Sequence, residues 1–211
     1  SKAEMTRGQW ISAGEEPLSG LYFEDALSHF HAEEDHRRLP IEYVTWTQGR
    51  EVLKRFGLDL PTEAQWEYAA RGGTTTVWWT GDDPESLRWA ANLADHSLER
   101  AERIEVPLDA TDDGYPHTSP AGTFRVNPFG IWDVQGNAQE WCLDLYGSYA
   151  SPTRPGTGER DLLASGEGER VTRGGDCHTT ADRSRSASRY WLAPGGRLTA
   201  LGLRPARRLD R

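Results

Sequence analysis

The first third of the chain carries apolar residues at helical spacing. Four of them fall at i, i+3, i+7 and i+10, which is one face of an α-helix: Trp46, Gly49, Leu53 and Phe56. Gly57 follows directly, and glycine commonly ends a helix because it adopts the left-handed conformation without strain. The pattern therefore predicts a helix over 46–56 that stops at Gly57.

A second helix is predicted immediately downstream. Thr62 and Gln65 have the spacing of a capping box, in which the threonine caps the helix and the glutamine side chain reaches back. The apolar face of this helix is supplied by Trp66, Ala69 and Ala70. Arg71 closes the helix before a pair of glycines.

Beyond residue 72 the helical period disappears. Short apolar pieces alternate with turn residues, a pattern typical of small strands joined by ordered loops. The apolar pieces are 77–79, 89–93, 104–108 and 129–134. Residues 147–170 are rich in Gly, Ser, Pro and charge and predict a mobile surface loop, while 200–207 predict a closing strand. No internal repeat and no long linker is found, so a single domain over 1–211 is predicted.

Composition supports a packed core and narrows the range of partners. Only 36% of the residues are hydrophobic, but nine tryptophans, seven tyrosines and five phenylalanines supply bulk, since each aromatic side chain buries a large area. The net charge of −9 argues against a non-specific nucleic-acid binder. No run of about 18 apolar residues exists, so no membrane span is predicted. The partner is therefore expected to be a protein or a small molecule. Its identity, the oligomeric state and the localisation stay open.

Three histidines lie among acidic residues near the start of the chain. His29, His31 and His36 are surrounded by Glu and Asp, and one interpretation is a metal site. Because no recurring ligand spacing accompanies them, a solvated acidic loop is the preferred interpretation.

The stretch 127–141 combines aromatic residues, two glycines and two carboxylates. Gly136-Asn137 predicts a tight turn, since both residues tolerate positive φ. Asp133 and Glu140 flank this turn, so their carboxylates and the main-chain carbonyls between them offer the oxygen ligands that a hard cation prefers. A buried aromatic turn with two solvated acids is the alternative.

Four stretches, together with the opening residues 4–10, carry a family resemblance. They are LPTEAQWEYAARGG at 60–73, the stretch 127–141, RGG at 173–175 with RSASR at 185–189, and GLRPAR at 202–207. In this order they resemble the formylglycine-generating enzyme (sulfatase-modifying factor) family over nearly the whole chain. The resemblance implies an α+β, variant C-type-lectin-like fold, with two helices packed on short β-sheets and much irregular structure.

The resemblance also implies two structural calcium sites. Family members bind one calcium ion around the Gly-Asn turn, and the matching positions here are Asp133, Gly136, Ala138 and Glu140. They bind a second ion through an Asn, an Asp and two carbonyls, and the matching positions are Asn92, Leu93, Asp113 and Tyr115. Asp133 stands where some members have Asn, a change that adds charge and should not weaken a calcium site.

The positions of the cysteines argue against the oxidase chemistry of the family. Oxidase members hold copper(I) with a cysteine pair after the Arg-Gly-Gly motif, and thiolates suit that ion. Cys177 resembles the first cysteine, but Ala181 stands near the place of the second, so copper is not expected. A buried structural thiol is the preferred interpretation of Cys177, ahead of a reactive thiol and of a disulfide with Cys142.

Residues 176–191 mix adaptable polar side chains with aromatics, a composition suited to a binding surface. The resemblance extends to the variable proteins of diversity-generating retroelements, which carry their diversified residues in this C-terminal region of the same scaffold. The expected contact residues are Asp176, His178, Thr179, Thr180, Asp182, Ser184, Ser188, Tyr190 and Trp191. Three arginines match framework positions of the family and are expected to be structural: Arg173, Arg185 and Arg189. An ordinary polar loop over the core is the alternative.

The predicted function is therefore non-catalytic ligand binding on a C-type-lectin-like scaffold, as in a retroelement variable protein. One alternative is a metal-dependent oxidase acting on a protein cysteine, with Cys177 as its catalytic residue. The other is a regulatory module of a larger protein.

Overall fold

The computed structural model describes residues 1–16, 33–102, 112–160 and 168–207. Within these ranges five α-helices lie at Arg7–Ser12 (α1), Glu33–Arg38 (α2), Trp46–Arg55 (α3), Glu63–Arg71 (α4) and His96–Glu102 (α5). Two short 3-10 turns lie at Pro84–Leu87 and Ala181–Arg183. No helix in this part of the chain is long and apolar enough to cross a membrane. Most of the histidine-rich acidic loop, with His29 and His31, lies outside the described residues.

Capping explains where the two predicted helices begin. At α4 the Thr62 hydroxyl accepts from the Gln65 N–H at 3.2 Å, and the Gln65 side chain accepts from the Thr62 N–H at 3.0 Å. The same reciprocal box begins α3 at Thr45, a signal that the sequence reasoning did not use. Helix α3 ends at Arg55, one residue before the predicted end, and Phe56 is its C-cap. The Phe56 side chain is 57% exposed and does not join the apolar face that the sequence pattern predicted.

Four short strands form one sheet. They are Gln139–Leu145 (β1), Arg170–Arg173 (β2), Tyr190–Leu192 (β3) and Leu201–Gly202 (β4), in the order β3-β2-β1-β4. Strand β2 pairs antiparallel with β1 and β3, and β4 runs parallel to β1. This sheet places Trp191, the last residue of the stretch predicted to bind ligand, opposite Val171.

Several predicted strands were wrong. The pieces 77–79, 89–93 and 129–134 form turns and isolated bridges, such as the bridge between Asn92 and Gly136, instead of strands. The closing strand is only two residues long within the predicted 200–207. Gly130, with φ +73°, interrupts the piece 129–134 before a ladder can extend. The piece 104–108 and residues 161–167 of the predicted surface loop lie outside the described residues.

Tryptophans dominate the core, as the composition predicts. Trp141 is fully buried, and its indole N–H donates to the carbonyl of Val44 at 2.9 Å. The indole N–H of Trp46 donates to the carbonyl of Cys142 at 2.9 Å. Buried indoles are stable when their N–H group finds an acceptor, and these two bonds join α3 and the segment before it to the central strand β1.

Candidate functional site

The Gly136-Asn137 turn is locked in place by the segment around Asn92. Gly136 has φ +73°, and a Cβ at this position would lie 2.0 Å from the carbonyl oxygen of Asn92. The Asn137 N–H donates to that same carbonyl at 2.8 Å. Asp133 and Asn137 also have positive φ, at 53° and 58°. The turn therefore requires glycine at 136, and it brings the two predicted calcium regions together.

Glu140 is already committed to protein partners. The Arg204 guanidinium donates to both of its carboxylate oxygens, at distances from 2.6 to 3.0 Å. The Trp66 indole N–H donates to Glu140 Oε2 at 2.7 Å. A carboxylate held in this way has little capacity left for an ion, so Glu140 fits a calcium role poorly.

Asp133 lies beside this pair and fits a cation better. Its Oδ2 accepts from the Gly122 N–H at 2.6 Å, while its buried Oδ1 has no hydrogen-bond partner among the described residues. Burial raises the pKa of Asp133 to about 6, and the nearby charge of Glu140 contributes to this shift. An unsatisfied buried carboxylate oxygen is the kind of atom that a calcium ion would satisfy.

Glu4 joins this cluster, and the sequence reasoning did not assign it a role. Its carboxylate accepts from the Asn137 side-chain amide at 2.8 Å and from the Ala138 N–H at 3.0 Å. Burial, together with the charges of Asp133 and Glu140, holds its pKa well above the usual value. Glu4 thus ties the beginning of the chain to the turn, across a separation that no local sequence pattern reveals.

The second predicted calcium region fits a hard cation more closely. The Asn92 side-chain amide nitrogen donates to the His117 carbonyl at 2.8 Å, but its buried Oδ1 receives no partner from the described residues. Asp113 accepts from the N–H groups of Leu93 at 3.2 Å and Tyr115 at 2.8 Å. These bonds bring the Asp113 carboxylate next to Leu93 and Tyr115, two of the residues predicted with it.

A buried acid next to this region adds charge that the sequence reasoning missed. Asp95 is fully buried, and its Oδ2 accepts from the Asp113 N–H at 2.6 Å. Burial raises the pKa of Asp113 to about 7, with a further contribution from Asp95. Among the described residues, no three His, Cys, Asp or Glu side chains form a metal-holding group. A cation here would depend on amide and main-chain oxygens, which calcium accepts.

The cysteines do not form a reactive pair. Cys142 and Cys177 are both buried and free, so the disulfide alternative was wrong. Cys177 Sγ lies 3.5 Å from Nδ1 of His178, and burial raises the pKa of the thiol well above its usual value. Burial and the neighbouring His117 lower the pKa of His178 to about 4. The thiol is therefore protonated near neutral pH and its imidazole neighbour is uncharged.

Ala181 occupies the neighbourhood where a second thiol would be needed. It is 1% exposed and belongs to a hydrophobic cluster with Trp78 and Leu93. The Trp78 indole N–H donates to the Ala181 carbonyl at 3.1 Å. This corner of the protein is packed as apolar core.

The predicted contact residues do not form one continuous surface. Asp182 is exposed, and Asp176, His178, Thr179, Thr180 and Tyr190 are half-buried. Ser184 and Ser188 are buried, and the Ser184 hydroxyl donates inward to the Ala181 carbonyl at 3.1 Å, so these two lie beneath the surface. The Tyr190 hydroxyl donates to the Arg183 carbonyl at 2.8 Å, which turns Tyr190 toward the 181–183 turn.

Trp191 lies on the other side of β3, because successive side chains of a strand point to opposite faces. It is 48% exposed, and its ring centroid is 4.4 Å from that of Tyr146. The Arg189 guanidinium lies 4.7 Å from the Tyr146 centroid and 4.2 Å from that of Tyr149. We call Trp191, Tyr146, Arg189 and Tyr149 the aromatic column. Sequence reasoning identified only Trp191 as a contact residue, because Tyr146 and Tyr149 lie more than forty residues earlier in the chain and join the column through the fold.

Buried ion pairs and hydrogen bonds fix the positions of Arg189 and of the backbone just before it. Arg189 forms a two-point ion pair with Glu63, a residue that is 2% exposed, and donates to the Gly147 carbonyl at 2.8 Å. Arg173 is fully buried, and it pairs with Glu67 and donates to three carbonyls over 186–188. Structural roles are thus confirmed for Arg173 and Arg189. Arg185 is exposed and makes a 3.5 Å contact with the Ser188 hydroxyl.

Comparison with known proteins identifies the family to which the chain is similar. A profile of the sulfatase-modifying factor enzyme 1-like domain matches residues 3–209. The formylglycine-generating enzyme of Streptomyces coelicolor is 33% identical over 183 residues, which are 81% of this chain and 53% of that protein. The chain therefore spans about half the length of the curated relatives that it matches.

Solved structures support the fold. PvdO from Pseudomonas aeruginosa aligns with a TM-score of 0.73 and 22% identity, over 99% of this chain and 79% of that one. Treponema denticola variable protein 1 aligns with a TM-score of 0.69 and 21% identity, over 96% of this chain and 81% of that one. The predicted α+β, variant C-type-lectin-like fold is confirmed.

Proposed function

The chain belongs to the sulfatase-modifying factor family, and from that premise we propose that it is a non-catalytic member that binds a ligand. The proposed binding surface is the aromatic column, on the face of β3 that carries Trp191. The observation that carries the proposal is the exposed Trp191 ring, stacked on Tyr146 and backed by a buried ion pair.

The missing thiol pair argues against the oxidase alternative. A thiolate is the form of cysteine that binds copper and reacts, and burial of Cys177 disfavours it. Ala181 offers no ligand atom, and the apolar packing around it leaves no soft donor to complete a two-thiolate site. The residues present therefore do not fit the family's copper ion.

The aromatic column has the physical properties of a recognition surface. Tyrosine and tryptophan provide a large contact area at low entropic cost, since each has only two side-chain torsions to fix. Here Trp191 packs on Tyr146, and the Arg189 guanidinium lies over the rings of Tyr146 and Tyr149, so these torsions are restrained before any ligand arrives. Preorganisation of this kind favours affinity because less freedom is lost on binding.

A peptide-display selection against the intact protein tests the proposal. We expect selected peptides to lose at least about tenfold in affinity, roughly 1.4 kcal/mol, when Trp191→Ala is compared with the wild type. Trp191→Phe should restore part of the loss. Trp89→Ala is the matched control, because Trp89 is 62% exposed and also lies next to an arginine, Arg88.

The selection contradicts the proposal if its peptides bind Trp191→Ala and wild type equally well.

Copper(I) titration distinguishes the oxidase alternative from non-catalytic ligand binding. We expect no tight copper binding, whereas stoichiometric binding that is lost in Cys177→Ser would establish a metal site and remove the non-catalytic assignment.

We place the protein, within this class, among the variable proteins of diversity-generating retroelements. The support is the polar C-terminal stretch on a family scaffold without the cysteine pair. A near-identical template repeat and a reverse-transcriptase gene beside the coding sequence would establish this assignment. Their absence would remove it and leave ligand binding to be judged by the Trp191 experiment alone.

We also propose a structural calcium ion at Asn92, Leu93, Asp113 and Tyr115. The support is the unsatisfied Asn92 oxygen and the excess of buried carboxylate charge around Asp113. An ion there would neutralise that charge and tie the chain before α5 to the 113–115 turn. The ion would have no part in chemistry.

A further inference from the structure

A groove with a volume of about 680 Å³ lies between helix α1, the end of helix α3 and the segment 205–207. Its floor continues the main hydrophobic core, because four of its lining residues belong to that core or pack against it. These four are Met5, Leu53, Ala13 and Leu58. Cavities that bind small molecules have volumes of roughly 300–1,000 Å³ and mainly apolar walls. The groove satisfies both conditions, and neither Trp191 nor Cys177 lines it.

The charged groups that line the groove are positive. Arg37 from α2 and Arg207 both line it, and both residues are exposed. The Ser1 ammonium also lines it and donates to the Pro205 carbonyl at 2.5 Å. Burial lowers the pKa of that ammonium, whereas arginine keeps its charge at any physiological pH. None of the described lining residues is an Asp or a Glu, although the chain has a net charge of −9, so the groove is suited to attract an anion.

The acids close to these arginines leave that positive charge largely uncompensated. Asp59 bridges to Ala206, next to Arg207, but its carboxylate accepts two hydrogen bonds from Arg50. Glu33 lies one turn before Arg37 in α2, at a spacing whose ion pairs are weak in helices. A ligand anion can therefore compete for both arginines.

Phe56 gives the groove an aromatic wall. It is the C-cap of α3, is 57% exposed and lines the groove together with Leu58. An aryl or alkyl group laid against these side chains would remove apolar surface from water, which is favourable in proportion to the area covered. The walls thus favour a ligand with an apolar body.

We propose that this groove is a small-molecule site for an amphipathic carboxylate, which is a molecule with one anionic head and an apolar aryl or alkyl body. The head contacts Arg37 or Arg207, since a guanidinium offers charge-assisted hydrogen bonds to a carboxylate. The body packs against Phe56 and Leu58. The site stands independently of the binding surface at Trp191.

Three probes with the same phenylalkyl body test the chemistry: 4-phenylbutyrate, 4-phenylbutanamide and 4-phenylbutylammonium. Ligand-observed NMR titration of the wild-type protein at low salt should give millimolar binding for the anion, as expected for a ligand of about twelve heavy atoms. The amide should bind at least about threefold more weakly, and the ammonium more weakly still, because it is repelled by the arginines. The proposal is overturned if the anion does not bind at about 20 mM, or if either other probe binds as tightly.

Removing the two positive charges locates the anionic head. Arg37→Gln combined with Arg207→Gln should weaken anion binding at least about threefold and leave amide binding unchanged, and the two single variants show which arginine holds the head. Arg38→Gln combined with Arg183→Gln is the matched control, because it changes the net charge equally at two exposed arginines that do not line the groove. Equal anion affinity of the two double variants would place the anion elsewhere and overturn the assignment.

A second substitution locates the apolar body. Phe56→Ser should weaken anion and amide binding alike, by at least about threefold, because both probes lose the same apolar contact. Phe129→Ser is the matched control, since Phe129 is 45% exposed and does not line the groove. Wild-type affinity of Phe56→Ser for both probes would refute this position of the body.

Vesicle binding distinguishes a free carboxylate from the anionic headgroup of a lipid surface. Phosphatidylcholine vesicles with about one quarter phosphatidylglycerol should leave the protein in the supernatant after sedimentation, because its net charge of −9 is repelled by an anionic membrane. Sedimentation with these vesicles that is lost when Arg37 and Arg207 are replaced would assign the groove to a lipid surface and overturn the free-ligand assignment.

Discussion

Replacing Arg204 by methionine would remove the partner of a buried carboxylate. Arg204 donates three hydrogen bonds to Glu140, and its loss would leave that carboxylate with the Trp66 N–H as its remaining hydrogen bond. Breaking one side of a buried ion pair costs about 3–5 kcal/mol. The carbonyls of Trp132 and Asp133 would lose their bond as well, at about 1 kcal/mol each. We expect a loss of roughly 4–6 kcal/mol, because these terms are not fully additive.

Urea unfolding followed by circular dichroism measures this loss, and a melt should show a midpoint lower by roughly 8–24 °C. Arg204→Met combined with Glu140→Gln removes both charges, so the double variant should recover at least about half of the loss. Arg50→Met is the matched control, since the Arg50–Asp59 pair has the same two-point geometry but is partly exposed, and it should cost less than about 1 kcal/mol. The reasoning is refuted if the single variant costs under about 1 kcal/mol, or if the double variant is no more stable than the single.

Three further predictions follow from buried groups. Chelation by EGTA should lower the melting temperature by roughly 5–10 °C if calcium is near 100-fold above its Kd, and Asn92→Ala should abolish this response; an unchanged wild-type melt would count against the calcium site. Burial raises the folded-state pKa of Asp176 to about 6, so its stabilising contribution is complete below pH 4 and lost as pH rises through 6. Asp176→Asn should therefore gain up to about 3 kcal/mol over wild type between pH 4 and 7.5 in denaturant titrations; a pH-independent difference would contradict the shift. Gly136→Ala should cost at least about 3 kcal/mol, or prevent folding, because its Cβ would lie 2.0 Å from a carbonyl oxygen. Gly57→Ala is the control, with φ +67° and open space, and should cost only about 1–2 kcal/mol; equal losses in denaturant titrations would refute the steric argument.

Local signals in the sequence were sufficient for α3 and α4, whereas α1, α2 and α5 were not predicted. The Thr62 box and the glycine after α3 act within one turn of backbone, so a single sequence contains everything needed to locate them. The short strands were harder to predict, because pairing depends on partners far away in the chain. Strand β1 was not predicted at all, although its first residues fall within the 127–141 stretch.

In the candidate sites, too, contacts between residues close in sequence could be predicted and contacts between distant residues could not. Asp133 and Glu140 are seven residues apart, so their association with one turn could be predicted. Glu4 lies 134 residues from the Ala138 N–H that it accepts from, and Arg204 lies 64 residues from Glu140. Contacts over such separations follow from the fold rather than from spacing. Because of these contacts, Glu140 is paired with Arg204. Asp133 Oδ1 is left without a hydrogen-bond partner among the described residues.

The strand geometry of β3 changes how the ligand-binding stretch must be tested. Sequence composition grouped Tyr190 and Trp191 as neighbouring contacts, but adjacent residues of a strand face opposite sides. Tyr190 is held toward the 181–183 turn through the Arg183 carbonyl, while Trp191 stacks on Tyr146. A ligand centred on the aromatic column should therefore respond to substitution of Trp191 and Tyr146 but not of Tyr190. One that responds to Tyr190 and Asp182 instead would occupy the polar turn, so the pattern of affected residues assigns the face directly.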